Sequence, residues 1–253
     1  AEILMMHTLA CTRAFLYANP EFELSPTQAD AFSSFIQQRL EGQPVAYLTG
    51  SSEFWSLPLR VSPAVLIPRP ETELLVETAL EKIPCDTQQR IADLGTGSGA
   101  IALAIASERP RCELHATDIS PGAIMVAQEN ADRLGFSHVR FHTGSWTEPL
   151  QGKFHLVVSN PPYVDEADPH LEHGDLRFEP RGALTPGADG LAAIHTISHL
   201  VHPMLLEGGW LMFEHGWDQG PAVRDILKKT AYKNIKTLQD LQGHERVTIG
   251  AKA

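Results

Sequence analysis

From residue 90 onward, short apolar runs alternate with stretches of helical spacing, and this alternation restricts the fold more than any other feature of the chain. Strand-like runs occupy 90–94, 112–117, 139–143, 154–159 and 209–214. Helical patterns fall at 99–107, at 122–134, and through Leu191, Ile194, Ile197, Val201 and Leu205 after a Pro/Gly-rich loop at 160–187. Strands separated by helices are joined by crossovers that cover the sheet, so the strands run mostly parallel. A helix at 221–229 precedes two closing strands at 234–238 and 246–250, whose short separation suits an antiparallel pair at one edge. The expected fold is α/β: a Rossmann-like, mostly parallel sheet with an antiparallel C-terminal edge hairpin.

The first 50 residues have another texture, helical throughout. Ser25-Pro26-Thr27-Gln28 supplies an N-cap serine, a proline at the first helical position and a glutamine at the third. The stripe Phe32, Phe35, Ile36 and Leu40 that follows reads as ordinary packing. Aromatic and branched residues around Pro58 and Pro63 suggest a hairpin or linker over 51–70, and helical spacing resumes at 71–80 through Leu74, Leu75 and Ala79. Three units are expected: 1–50, 51–70 and 71–253. Because Ala1 is not methionine and the helical pattern starts at once, the first unit is expected to be incomplete at its N-terminus.

Charge and cysteine usage exclude several functions. With 31 acidic against 20 basic residues and a net charge of −11, the 253-residue chain lacks the positive field that phosphate-neutralising nucleic-acid binders need. Cys11, Cys85 and Cys112 are odd in number and have no CxxC spacing, which fits reduced thiols rather than a disulfide framework or a zinc site. His155, His170, His173 and His215 are scattered without ligand spacing, so no metal is expected. No run approaches the ~18 apolar residues of a membrane span, and Glu2 sits where a signal peptide would be basic. A cytoplasmic protein without membrane association is expected, and a monomer.

The first strand of the alternating region runs into Asp93-Leu94-Gly95-Thr96-Gly97-Ser98-Gly99 and then a helix. Glycines there let the backbone turn and approach a ligand at the carboxyl end of a strand. Asp118 closes the next strand, where a carboxylate can accept from ribose hydroxyls. The loop has neither G-x-G-x-x-G spacing nor a G-K-[ST] ending, and Asp93 suits a cationic cofactor better than a pyrophosphate. That combination favours S-adenosylmethionine over NAD. Trp146, after the third strand in Thr143-Gly144-Ser145-Trp146, offers a flat face for an adenine ring.

The strongest signal is Ser159-Asn160-Pro161-Pro162-Tyr163 behind the apolar strand 154–158. Two successive prolines stiffen the chain and remove donors, so a preceding carbonyl can project into a cleft. The Asn160 side-chain oxygen and the Pro161 carbonyl can each accept one hydrogen of a substrate NH2 group and aim its nitrogen at a sulfonium methyl. An amide nitrogen is a poor nucleophile, so alignment must lower much of the barrier, and effective molarities correspond to roughly 7–11 kcal/mol. Direct in-line attack is expected, with proton loss after methyl transfer and no catalytic acid or base assigned.

These features resemble class I S-adenosylmethionine-dependent methyltransferases of planar nitrogens, and within them the HemK/PrmC family of protein-(glutamine-N5) methyltransferases. The resemblance covers nearly the whole chain. It is carried by Gly42-Gln43-Pro44, Tyr47-Leu48-Thr49-Gly50, Glu53-Phe54-Trp55, Ile67-Pro68-Arg69-Pro70-Glu71-Thr72-Glu73, the loops at 93–99 and 160–163, Arg177-Phe178-Glu179-Pro180, residues 211–216, and Glu245-Arg246-Val247. It implies that Gly95, Thr96, Gly97, Ser98 and Gly99 line the cofactor site with Asp118 on the ribose, Trp146 near the adenine and Asn160 alongside. It also implies that Asn160, Pro161, Pro162 and Tyr163 clasp the substrate with Arg69 in contact, Asn160 and Pro161 being the catalytic pair. The implied substrate is the glutamine of the Gly-Gly-Gln loop in peptide chain release factors 1 and 2, docked in part by residues 1–50, with S-adenosylhomocysteine as the second product. Family members often carry an acid where Ser145 stands, and usually have more helical sequence ahead of Ala1. The rival readings are an N6-adenine nucleic acid methyltransferase, which would need a basic face and a flipped-base pocket, a catalytically silent protein-binding module, and, last, a nicotinamide oxidoreductase.

Overall fold

A computed structural model describes residues 1–186 and 190–253. Four helices come first: α1 (Glu2–Leu9), α2 (Arg13–Ala18), α3 (Pro26–Leu40) and α4 (Val45–Thr49). The capping box at α3 is complete, with Ser25 Oγ accepting from Gln28 N and Gln28 Oε1 accepting from Ser25 N. The apolar stripe of α3 is only partly covered. Phe35 meets the His7 ring edge-on at 5.4 Å, but no residue of α3 is fully buried and Leu40 is 76% exposed, so the packing expected for the whole stripe stops short of its last member.

A tight hairpin follows, β1 (Ser51–Phe54) and β2 (Leu57–Arg60). Its turn residues Trp55 and Ser56 have φ of 53° and 58°, the left-handed pair that matches the twist of a two-residue hairpin. Glu73 Oε1 accepts the Trp55 amide at 2.9 Å and holds that turn. The hairpin buries Phe54 and Leu59 in the main core.

The remainder is the expected alternation: α5 (Glu73–Lys82), β3 (Arg90–Leu94), α6 (Ala100–Glu108), β4 (Glu113–Asp118), α7 (Pro121–Leu134), β5 (Arg140–Thr143) and β6 (Phe154–Ser159). Short α8 (Arg181–Leu184) and α9 (Ala192–Val201) lead to β7 (Leu205–Glu214), α10 (Gly220–Lys229), β8 (Lys233–Gln239) and β9 (Glu245–Ala251). The seven-stranded sheet has the order β5-β4-β3-β6-β7-β9-β8, with β9 antiparallel to β7 and β8, and the other pairings parallel.

One expected boundary moves. Leu205 follows Val201 at helical spacing, but α9 gives way to a turn at His202–Met204 containing Pro203, and Leu205 opens β7 opposite Phe154. The loop after β6 contains helical turns at Pro169–Glu172 and Leu176–Phe178 besides α8, and its expected end at Gly187 lies outside the described residues.

Side chains of the central strands alternate between two cores. Ile91, Leu156, Val158 and Met212 face α5 and α6, while Ala92, Leu94, Val157, Leu211 and Phe213 face α9 and α10. Each fully buried Leu, Ile or Val stabilises the fold by about 1.5–3 kcal/mol. Residues Ala100 to Ala106 of α6 are all buried, which explains why that helix has no polar face. The order of strands reverses between β3 and β6, so their carboxyl ends open side by side, and Ser159 Oγ ties them by donating to Leu94 O at 2.7 Å.

Candidate active site

At that switch point the loop after β3 wraps α6. Gly95 and Thr96 both donate their amides to Thr117 O at 2.9 Å, and Gly97 donates to Asp118 Oδ2 at 2.9 Å. Gly95, Gly97 and Gly99 all have positive φ, at 76°, 57° and 84°. Asp118 is thereby fixed, because its Oδ1 also accepts from Ser120 N at 2.9 Å. Burial raises the Asp118 carboxyl above its ordinary value, against the pull of those backbone amides.

A cavity of about 530 Å3 lies over this loop. Gly95, Gly97, Asp118, Trp146 and Asn160 line it, together with Val65, Leu66, Ile119, Ser145 and Ala183. Of the cofactor residues expected from sequence, Thr96, Ser98 and Gly99 stand behind this wall. The Thr96 hydroxyl donates to buried Asp93 at 2.6 Å, the Ser98 carbonyl accepts from Asn130 Nδ2 at 2.9 Å, and Gly99 caps α6. Asn130 also brackets Arg60, accepting its amide at 2.6 Å and donating to its carbonyl at 3.0 Å, so the hairpin and the glycine loop share one anchor. Trp146 takes φ +44° and sits under the loop, where a Cβ on Gly95 would meet its ring at 3.4 Å.

A second cavity of about 190 Å3 opens beside the first, lined by Leu66, Arg69, Asn160, Pro161, Tyr163, Val164, Leu176, Ala183 and Leu184. Asn160 belongs to both walls, whereas Pro162 faces the larger cavity and Pro161, Tyr163 and Arg69 face the smaller. Asn160 Nδ2 donates to Thr72 Oγ1 at 3.2 Å.

Comparisons with known proteins identify the family. Residues 70–177 match the family model of the methyltransferase small domain, and residues 1–50 match that of the PrmC N-terminal domain. A release factor glutamine methyltransferase of Xylella fastidiosa is 49% identical over 99% of this chain and 91% of its own. One of Vibrio cholerae is 50% identical over 99% and 88%. The chain belongs to the release factor glutamine methyltransferase family. It is an S-adenosylmethionine-dependent methyltransferase, and a Pyrococcus furiosus methyltransferase structure, 16% identical and covering 87% of this chain and 99% of its own, shares the fold with a TM-score of 0.60.

The larger cavity of this methyltransferase fits that cofactor. Gly97 presents no side chain there, and among the described residues, its chain neighbours aside, nothing lies within 4 Å of where its Cβ would be. Asp93, 0% exposed, keeps Oδ1 without a hydrogen-bond partner among the described residues, a buried acid behind the loop of a cofactor that carries positive charge. Burial raises the Asp93 carboxyl to about 7, with the Thr96 hydroxyl opposing and Asp118 reinforcing. The position expected to lack an acid, Ser145, has one nearby, since its amide donates to Glu148 Oε2 at 3.3 Å.

Of the residues that hold the smaller cavity in shape, sequence reasoning assigned a role to Arg69 alone. Arg69 Nη2 donates to Glu179 Oε1 at 2.5 Å, and Glu179 Oε2 accepts the Ile67 amide at 3.0 Å. Tyr47 of α4 donates to Val65 O at 2.6 Å, while Arg39 of α3 pairs with Asp175 at 2.8 Å and Arg177 donates to Glu41 O. The stretches carrying the family resemblance thus meet around the cavities, a signal visible only as co-occurrence. Of the four histidines weighed above, His155 Nδ1 accepts the Arg90 amide, His215 Nε2 bonds Thr248 Oγ1 and exposed His170 pairs with Asp168, while Cys11, Cys85 and Cys112 are free thiols. Among the described residues no helix is long and apolar enough to cross a membrane.

Proposed function

We propose that this chain methylates the side-chain amide nitrogen of the glutamine in the Gly-Gly-Gln motif of bacterial-type peptide chain release factors 1 and 2, as a cytoplasmic monomer. The carrying observation is Asn160, which sits on the wall shared by a cavity fit for S-adenosylmethionine and a smaller one fit for a single side chain. When bound, S-adenosylmethionine supplies a sulfonium methyl group and leaves as S-adenosylhomocysteine. Gly95 and Gly97 would hold its chain by close backbone approach, Asp118 its ribose, and Trp146 its adenine.

The protein's work on the acceptor is orientation. Asn160 Oδ1 and the Pro161 carbonyl accept the two amide hydrogens, fixing the nitrogen and stabilising the positive character that grows on it. Pro161 and Pro162 limit the backbone to one conformation, so the clasp costs little ordering entropy when substrate enters. Arg69, held by Glu179, borders the same cavity and would touch the backbone of the incoming loop. Residues 1–50 are read as a docking unit for the release factor, residues 51–70 as the connector and residues 71–253 as the catalytic domain. The link from Arg39 and Glu41 to Asp175 and Arg177 supports that reading, since it joins the helical unit to the chain beside the smaller cavity.

The test is methyl transfer from labelled S-adenosylmethionine to a purified bacterial-type release factor, with the site mapped by mass spectrometry. The expected result is one added methyl on the Gly-Gly-Gln glutamine, lost when that glutamine is alanine. Labelling of DNA or RNA in parallel reactions, with the release factor untouched, would transfer the assignment to the adenine-amino reading.

A further inference from the structure

One wall of the larger cavity belongs to neither the glycine loop nor the sheet. Ala64, Val65 and Leu66 line it from the chain between the hairpin and α5, a stretch with neither helix nor strand at those positions. The ends of this strap are pinned: Asn130 brackets Arg60, the Val61 amide donates to Gly50 O at 3.1 Å, and the Ile67 amide donates to Glu179 Oε2 at 3.0 Å. Its middle is held from the helical unit. The Tyr47 hydroxyl of α4 donates to Val65 O at 2.6 Å, and among the described residues no other hydrogen bond reaches residues 62–66 from outside them. Ala46 and Tyr47 of α4 pack with Val61 and Val65 of the strap and with Ala123 and Val126 of α7, in a small apolar cluster apart from the two main cores. A Cβ on Gly122 would stand 3.3 Å from the Ala64 Cβ, so the strap lies close on the first turn of α7, just past Asp118, Ile119 and Ser120 of the same cavity.

No residue of 1–50 lines the larger cavity, yet one hydroxyl of that unit fixes a piece of its wall. A backbone carbonyl in an apolar cluster needs a donor, and losing it leaves the group unsatisfied. Without that bond the strap is held only at its two ends, and its middle can take positions in which Val65 and Leu66 stand off the ligand. Apparent affinity then falls with the fraction of molecules whose wall is in place. Burial raises the Tyr47 phenol well above its ordinary value, with the Glu179 charge reinforcing and Arg69 opposing, so the hydroxyl keeps its proton and remains a donor. We propose that Tyr47 is a positioning residue for S-adenosylmethionine: through Val65 it sets the strap against the cofactor, and the helical unit thereby helps to build the cofactor site. The coupling is reciprocal, so bound cofactor steadies α4 in turn. It rests on the reading of the larger cavity as the cofactor site.

The test uses the full chain and compares wild type, Tyr47→Phe and Gly97→Ala by calorimetry with S-adenosylmethionine and with S-adenosylhomocysteine, beside steady-state methylation of a release factor. Tyr47→Phe keeps the ring in its cluster and removes one hydrogen bond, so both affinities should fall about 3- to 10-fold, within the range that the net value of one such bond spans. KM for the cofactor should rise by a similar factor while kcat at saturating cofactor stays within about twofold, because bound ligand draws the strap back into place. Hydrogen exchange of the wild type gives a second reading that needs no variant. Amides at 45–49, which do not line the cavity, should exchange more slowly once S-adenosylhomocysteine is added. A merely structural role would lower the melting temperature of Tyr47→Phe and leave the affinity of the folded protein unchanged. Wild-type affinity in Tyr47→Phe with Gly97→Ala weakened, or exchange at 45–49 indifferent to ligand, overturns the proposal. Wild-type affinity in Gly97→Ala would instead overturn the reading of the cavity beneath it.

Discussion

Asp93 offers a quantitative test of how the cofactor loop is built. It is 0% exposed, its Oδ2 is held by Thr96 at 2.6 Å, and its Oδ1 has no hydrogen-bond partner among the described residues. Burial carries the carboxyl from an ordinary 3.8 to about 7. The folded state therefore keeps a proton that the unfolded chain gives up near pH 4, and stability falls as pH rises through the window between the two values. At about 1.4 kcal/mol per pH unit the full cost is on the order of 4 kcal/mol, complete above pH 7 and absent below pH 4. Asp93→Asn keeps the shape and an acceptor for Thr96 without the charge. Its stability relative to wild type should rise by about 4 kcal/mol between pH 4 and pH 8, measured by urea unfolding at several pH values. Glu214, raised to about 7 by its own burial, titrates in the same window but is common to both proteins and cancels in the difference. The same variant should lose affinity for S-adenosylmethionine more than for S-adenosylhomocysteine, because only the former carries the sulfonium charge. A difference that stays flat from pH 4 to 8, or that favours wild type at pH 8, would refute the account of Asp93 as a buried, under-paired acid.

Asn130→Ala removes the shared anchor of hairpin and glycine loop, leaving the Arg60 amide and the Arg60 and Ser98 carbonyls short of a partner; a loss of about 3 kcal/mol is expected in urea unfolding, with weaker cofactor binding. Arg69→Met strands the fully buried Glu179 carboxylate and should cost about 3 kcal/mol, with a raised KM for the release factor in steady-state assays. Gly97→Ala meets no protein atom but forces a side chain into left-handed backbone, so unfolding should show a cost of only about 1 kcal/mol while calorimetry shows cofactor affinity reduced at least tenfold.

What could be read from sequence follows the range of the physics involved. The near-continuous apolar runs of β3, β6 and the second half of β7, and the spacing of α7, α9 and α10, arise from neighbours a few residues apart, and these elements lie where the sequence pattern places them. The loops at 93–99 and 160–163 were legible because each follows a strand directly, and the sheet order brings those strand ends together. Leu205 was misplaced because an apolar residue four positions after Val201 satisfies helix and strand equally, and the Pro203 turn decides between them. The contacts of Glu179, Thr72 and Glu214, which stand in stretches that carry the resemblance, and of Asn130 were illegible for a different reason. Their partners Arg69, Asn160, Tyr163 and Arg60 are 51 to 110 residues away in the chain, and no local pattern marks a polar residue as buried.

The distribution of these long-range anchors bears on how the enzyme attains its rate. An amide nitrogen has a delocalised lone pair, and the smaller cavity, the proposed acceptor site, is lined by Asn160 and Pro161 with no Asp, Glu, His or Lys among its described lining residues. Rate must then come from holding the nitrogen within reach and in line. The proposed clasp, working by geometry, is only as good as its supports, and Asn160 is hydrogen-bonded to Thr72, and Tyr163 to both Glu214 and Gln219. Loosening any of these leaves both cavities and their charged groups in place, so substrate still enters and cofactor still binds, while the fraction of bound complexes in the reactive alignment drops. The expected signature of damage at the supports is therefore a fall in kcat at nearly constant KM, whereas damage at Arg69 or Glu179, which border or brace the entrance of the chain itself, should register first in KM.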